Sequence, residues 1–283
     1  MLRVNSIRRY PVKSCRGHET PSAVVQPWGL AGDRRWMLVG ADGESITARE
    51  RPELVLVTPE LTETGLLLHA PGAHPLPVRI PTGGPPLRVT VFGNPLPAAP
   101  AATPASAWFS AVLGTTATLV YLDDPTQRRP SPDHSLPGDR VTFADGFPLL
   151  LTTEESLAEL NRLALTHPDS TGQPLPMARF RPNVVVAGEP AWAEDRWRRL
   201  RIGVAVFRSV KGCPRCVLTT VDPDTGRRGK EPLRTLARYR RWAGKTWFGV
   251  NLIPDTPGAV IRVGDRVEVT ERADTSEPPP DPV

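Results

Sequence analysis

Residues 213–226 read Cys213-Pro214-Arg215-Cys216-Val217-Leu218-Thr219-Thr220-Val221-Asp222-Pro223-Asp224-Thr225-Gly226. Two of the chain's three cysteines stand three positions apart here, with an arginine beside the second. The thiolate is the reactive and metal-binding form of cysteine, and a neighbouring cation favours it. After Cys216 the chain is β-prone and then turns at Asp222-Pro223, whereas a thioredoxin-like dithiol needs a helix at that point. A structural zinc site needs four ligands. Outside the pair there remain only Cys15 and five histidines (18, 69, 74, 134 and 167), with no two at ligand spacing. That leaves a single thiolate ligand to a cofactor metal, and thiolates select soft or high-valent centres over magnesium or calcium.

The rest of the chain supports a β-rich reading. Short strands are expected at residues 33–39, 54–57, 65–69, 76–80 and 87–92, with turn signals between them, as in an all-β barrel or sandwich. Neither βαβ alternation nor a glycine-rich phosphate loop appears, which argues against Rossmann and P-loop folds. Residues 94–105, rich in Pro and Ala, read as a connector, residues 106–113 as a short helix and 118–122 as a strand. Residues 123–140 form a polar loop. In the second half, Thr152-Thr-Glu-Glu155 reads as a capping box before a helix whose core stripe is Leu157, Leu160 and Leu163. Strands follow at 183–186 and 200–207, a basic helix at 232–242 and a hairpin at 259–270 around Gly264-Asp265. From residue 271 the proline-rich tail has little to bury and is expected to be disordered.

Composition narrows the function. A chain of 283 residues suits one large or two intimate domains. Its 35 basic and 30 acidic residues give a net charge of only +5, and no basic run tracks a nucleic-acid backbone. No apolar run approaches the roughly 20 residues that cross a bilayer, and the N-terminus lacks an apolar signal core. Three cysteines, an odd number, do not make a disulfide framework. These features place the protein in the cytoplasm, with neither membrane nor nucleic acid among its partners.

Two further clusters suit an anion. Tyr10-Pro-Val-Lys-Ser-Cys-Arg-Gly17 sets Lys13, Ser14 and Arg16 in a loop after a strand, a point charge beside a hydroxyl donor. Arg179-Phe-Arg-Pro-Asn183 brings two guanidinium groups and an amide to a chain bend. Taken singly, each also reads as a solvated loop or a surface ion pair.

Together these runs resemble a known family. Arg215-Cys-Val-Leu-Thr-Thr-Val-Asp-Pro-Asp-Thr-Gly226 with Lys230-Glu-Pro-Leu-Arg-Thr-Leu is similar to the MOSC domain of molybdenum-cofactor enzymes. The Tyr10–Gly17 run, Asp33-Arg-Arg-Trp36, Thr47-Ala-Arg49, Phe180-Arg-Pro-Asn183 and Val263-Gly-Asp265 match the same family in order. The resemblance spans about residues 1–270 and is strongest to the amidoxime-reducing branch. It implies a mainly β fold with some α (α+β): a β-barrel-like N-terminal domain over residues 1–120, packed on a β-barrel MOSC domain over 121–270 with peripheral helices.

It also implies roles. Cys216 is the thiolate that ligates molybdenum, and Cys213 is a neighbour, not a ligand. Lys13, Ser14 and Arg34 anchor the cofactor, largely at its phosphate end. Arg181 and Asn183 contact the pterin, Thr153 stands at a helix N-terminus suited to an anion, and Arg215 contacts the cofactor beside the metal. Asn251 departs from the family: the mitochondrial relatives carry a tyrosine there, so the pocket differs. The implied activity is two-electron reduction of N-hydroxylated substrates by the molybdenum cofactor (Mo-molybdopterin). With no iron–sulfur domain on this chain, electrons come from a separate reductase, a flavoprotein or a ferredoxin- or cytochrome b5-like protein. The alternatives are a non-catalytic molybdopterin carrier or sulfur-transfer module, and a metal-free thiol redox protein using Cys213 and Cys216.

Overall fold

The structure, a computed structural model, describes residues 1–168 and 172–274. It is mainly β. A nine-stranded sheet runs through His18–Glu19, Arg3–Arg9, Val184–Ala187, Leu149–Thr153, Lys245–Pro254, Ala205–Pro214, Trp197–Ile202 and Val267–Arg272, with Arg241–Trp242 added beside Lys245–Pro254. The sheet curls back on itself, because Arg3 also bridges Arg266 and Val4 N–H donates to the Asp265 carbonyl (3.0 Å). Among the strands of this sheet, only Leu149–Thr153 and Val184–Ala187 pair in parallel. Helix α2 (Glu154–Leu165) lies in the crossover between them, as a parallel pair requires.

The barrel is filled by alternate residues of these strands, among them Val4, Ile7, Leu149, Leu151, Val184, Val186, Trp197, Phe207, Val250 and Leu252. Ala23, Val25 and Leu30 join the same core, so strands from the start of the chain pack with its second half. A second core lies in the first half: Val12, Trp36, Leu54, Leu66, Leu68 and Leu119 pack against Phe109 of α1 (Thr103–Leu113). A third, beneath α2 and α3 (Leu233–Tyr239), stacks Phe180 on Phe248 at 3.9 Å between centroids.

Several expected elements change form. Residues 54–57 are not a strand: Pro52–Leu56 is a 3₁₀ turn, opened by a proline and burying Leu54 and Val55. Residues 94–105 are not a plain connector, since Asn94–Pro100 is a strand paired to Leu87–Val91. Leu96 and Ala98 face inward while Pro95 and Pro97 face water, so the missing N–H groups fall on alternate residues of one face. Residues 200–207 divide into two strands joined at Gly203-Val204. The 259–270 hairpin does not form: Val260–Arg262 pairs with Ser22–Gln26, and Val267–Arg272 pairs with Trp197–Ile202. The basic helix is shorter, ending at Tyr239, where Arg241–Trp242 becomes a strand.

The cap of α2 is Thr153, one residue later than the expected box. Its hydroxyl accepts from Ser156 N–H (3.1 Å), while Glu155 turns away to accept from Gly188 N–H (2.7 Å). Ala164, not Leu163, completes the buried stripe. The tail begins later than residue 271, because strand pairing runs to Arg272. Residues 275–283 lie outside the described residues.

Candidate functional site

A cavity of about 400 Å³ opens where the first-half loops meet the barrel. Seven cationic side chains line it: Lys13, Arg34, Arg49, Arg179, Arg181, Lys211 and Arg215. One carboxylate, Asp145, lines it with them. Lys13, Ser14, Arg34, Arg181, Asn183, Arg215, Cys216 and Asn251 therefore share one site, although they span 239 positions of sequence. Thr153 does not reach it. That residue is fully buried, and its hydroxyl is engaged with Ser156 Oγ (2.7 Å) and Glu194 Oε2 (3.4 Å).

The backbone at the site is strained. Six non-glycine residues among those described have positive φ, and four of them line the cavity: Ser14 (70°), Arg34 (46°), Phe92 (50°) and Arg181 (56°). Such conformations cost free energy and persist where the surroundings impose them. Here Arg34 N–H donates to the Tyr10 carbonyl (2.7 Å), Phe143 N–H to the Arg34 carbonyl (3.0 Å) and Lys13 N–H to the Trp36 carbonyl (2.8 Å).

Tyr10 organises the cations. Its ring is buried, with Arg34 Cζ and Arg181 Cζ each 4.4 Å from its centroid. Its hydroxyl donates to the Pro182 carbonyl (3.1 Å). Gly17 lets the loop close on this ring: a Cβ there would lie 2.3 Å from a ring carbon. Arg34 is further fixed by Asp33 (2.6 Å) and by Asn183 Oδ1 (2.9 Å). Asn183 also accepts from Leu150 N–H and donates to the Arg8 carbonyl, so its amide chiefly positions Arg34. Arg181 makes no ion pair among the described residues, and its Nη2 is buried without a hydrogen-bond partner.

Lys13 is only 3% exposed. Burial pulls its pKa down to about 8, against the pull of Asp145 in the other direction. Its ammonium donates to the Phe143 carbonyl (2.9 Å) and to Asp145 Oδ1. Desolvation tends to raise the Asp145 pKa, but Lys13 and Arg49 outweigh it and hold the carboxyl well below the usual range. Arg128 supports this loop from behind, donating to the carbonyls of Thr142, Ala144 and Asp145.

Sequence reasoning left Arg49 and Asp145 out of the site. Arg49 Nε donates to Cys216 Sγ (3.3 Å), and its other end pairs with Asp145. A continuous polar path thus joins Lys13, Asp145, Arg49 and Cys216. The signal for Arg49 was the Thr47-Ala-Arg49 match. Asp145-Gly146 gave none beyond a turn.

The two thiols differ. Both are half-buried and line the cavity, but Cys216 opens the turn Val217–Thr220. Cys213 accepts from Arg215 Nη1 (2.8 Å), while Arg215 Nη2 donates to the Phe180 carbonyl (2.7 Å). Burial pushes the Cys213 pKa up, and Arg215 opposes that rise. The two are free thiols, as is Cys15, whose pKa burial raises to about 12. Asn251, 9% exposed, donates to the Gly212 carbonyl (3.2 Å) and so ties its strand to the cysteine-bearing one. No group of three or more His, Cys, Asp or Glu side chains forms a protein-only metal site among the described residues.

The candidate site is thus a cation-walled cavity in a β-rich scaffold, with two partly buried thiols on its wall. The chain belongs to the MOSC family: residues 1–116 match the MOSC N-terminal beta barrel domain and residues 138–268 the MOSC domain. It is 37% identical to mitochondrial amidoxime reducing component 2 of Rattus norvegicus, over 93% of this chain and 82% of that one. It is 33% identical to mitochondrial amidoxime-reducing component 1 of Homo sapiens, over 91% and 80%. It is 35% identical to molybdenum cofactor sulfurase of Oryza sativa subsp. japonica, over 89% of this chain but 32% of the sulfurase. No helix of the described residues is long and apolar enough to cross a membrane.

Proposed function

We propose that this chain is a molybdenum-cofactor-dependent reductase of N-hydroxylated compounds. The observation that carries the reading is the cavity itself, with Cys213 and Cys216 on its wall among seven cations and a single lining carboxylate. Molybdopterin offers a phosphate and a dithiolene, and this donor set fits both. Lys13, Ser14 and Arg34 would hold the phosphate end, and Arg181, expected against the pterin, would join them, its buried Nη2 gaining the partner that it lacks. Cys216 would supply the protein thiolate to the metal, and Arg215 would face the cofactor beside it. Asn183, through Arg34, and Cys213, through Arg215, act as positioning groups.

The overall reaction takes R–NH–OH, two electrons and two protons to R–NH2 and water. When bound, the cofactor would supply the two-electron redox chemistry. The protein binds and orients. Arg49 keeps an N–H on the Cys216 sulfur, and Asp145 ties Arg49 to Lys13, so the thiol end and the phosphate end of the cavity hold one geometry. Electrons come from a separate reductase, such as a flavoprotein or a ferredoxin- or cytochrome b5-like protein. We divide the chain at about residue 120 and place the protein in the cytosol.

The second reading, a cofactor carrier or sulfur-transfer module, uses the same cavity and is favoured by the similarity to the rice sulfurase. The test is molybdenum by mass spectrometry, pterin fluorescence after acid oxidation, and turnover of benzamidoxime with a reduced dye, all on one preparation. About one molybdenum per chain with turnover supports the reductase. Bound pterin without turnover supports the carrier. Cys216→Ala should abolish turnover while Cys213→Ala keeps its molybdenum, and full activity in Cys216→Ser would overturn the ligand assignment.

A further inference from the structure

The hairpin formed by Leu87–Val91 and Asn94–Pro100 closes through a two-residue loop, because Val91 pairs with Asn94. The loop residues are Phe92 and Gly93, with φ of 50° and 75°. Positive φ at both central positions is the signature of a type I′ turn, where Asn-Gly is the preferred pair. A bulky aromatic in the first position is an outlier. Phe92 is nevertheless 54% exposed and fills no core. It therefore contributes little to folding in return for its strain, and such strain concentrates at functional sites.

The ring lies on the wall of the cavity described above. Lys13 Nζ is 5.0 Å from its centroid, and Arg49 Cζ is 5.2 Å. Arg49 in turn touches the Cys216 sulfur. One guanidinium thus separates an exposed phenyl face from the proposed metal ligand. Phe147 and Phe180 line the same cavity from the second half of the chain, and Phe92 is the aromatic surface presented there from the first half.

We infer that Phe92 is a specificity-determining residue: it supplies the stacking face that selects N-hydroxylated substrates with a planar aromatic group over small ones. This rests on the reductase reading above. Phe92 touches no developing charge. It acts on the affinity for the substrate body, so its effect falls on discrimination between substrates.

The test compares wild type with Phe92→Asn, which restores the preferred turn pair, and with Phe92→Leu, which keeps an apolar side chain without a ring. Benzamidoxime and hydroxylamine are reduced with the same dye, and melting temperature is recorded. Loss of an aromatic stack should lower the benzamidoxime-to-hydroxylamine ratio of kcat/KM by about tenfold in Phe92→Asn, mainly through KM, and less in Phe92→Leu. The melting temperature of Phe92→Asn should rise by roughly 1–3 °C as the turn strain is relieved. A ratio unchanged in both variants, with wild type reducing both substrates, would overturn the role of Phe92 alone. A fall in ratio accompanied by a lower melting temperature in Phe92→Asn would also overturn it, by making the residue structural. Molybdenum-loaded wild type that reduces neither substrate would overturn the reductase reading, and this inference with it.

Discussion

Glu194 offers a sharp test of the network that removes Thr153 from the cavity. The side chain is fully buried, accepts from Ser156 Oγ (2.9 Å) and leaves Oε1 without a partner. Burial raises its pKa from 4.5 to about 7, and Asp195 adds to the rise. Between these values the native state keeps a proton that the unfolded chain has released. Stability is therefore greatest below pH 4.5, falls as pH rises and levels off above about 7. At about 1.4 kcal/mol per pH unit, the loss is roughly 1 kcal/mol by pH 5 and roughly 3 kcal/mol by pH 8. Glu194→Gln removes the titration while keeping the shape. Urea unfolding of both proteins at pH 5, 6, 7 and 8 should show the variant gaining on wild type by about 2–3 kcal/mol across the series, about 1 M in midpoint. Asp195, paired with Arg240 at 2.5 Å, is common to both proteins and cancels in the difference. Parallel curves with a constant offset would refute the burial argument.

Two further outcomes follow from the cavity. Lys13 carries its charge below about pH 8, so retention of molybdopterin, measured by pterin fluorescence after dialysis, should weaken as pH rises from 7 to 9.5. Lys13→Met should lose about tenfold in retention at pH 7 and show no such pH dependence, as expected when a charge-assisted contact of about 1.5–3 kcal/mol is removed. Tyr10→Phe should cost about 1 kcal/mol in unfolding free energy by deleting one hydrogen bond, and should keep the cofactor. Tyr10→Leu also removes the platform between Arg34 and Arg181, so molybdenum content by mass spectrometry should drop.

Most residues that line the candidate cavity were legible because their motifs are short and local. Lys13-Ser14, Asp33-Arg34 and Arg181-Pro-Asn183 each carry donors within a few positions, and a loop that must hold an anion shows this in its own composition. Asp145 was invisible for the opposite reason. Its partners lie 132 and 96 positions away, and nothing near it in sequence distinguishes an ion-pair hub from a turn. Thr153 was misplaced by the same gap: a threonine at a helix N-terminus is compatible with an anion, but a buried glutamate 41 positions later takes up its hydroxyl. The expected 259–270 hairpin failed where local turn chemistry competed with distant edges. Gly264-Asp265 does turn, yet the strands on either side satisfy their ladders with Ser22–Gln26 and Trp197–Ile202.

The left-handed residues explain why the cations around Tyr10 come from loops and not from the strands. A regular strand directs successive side chains to opposite faces, so it cannot turn adjacent cations onto one ligand. Ser14, Arg34 and Arg181 each break the extended path at one residue, and the last two bring guanidinium groups from two segments onto one ring, that of Tyr10. The cost of holding like charges together is offset in part by Asp33 and Asp145, and an anionic ligand would offset more of it. Binding should therefore stabilise the fold as well as fill the cavity, and inorganic phosphate at concentrations above its Kd should raise the melting temperature of cofactor-free protein. The same addition should leave Arg181→Ala unmoved if that unpartnered guanidinium is the one that the ligand meets.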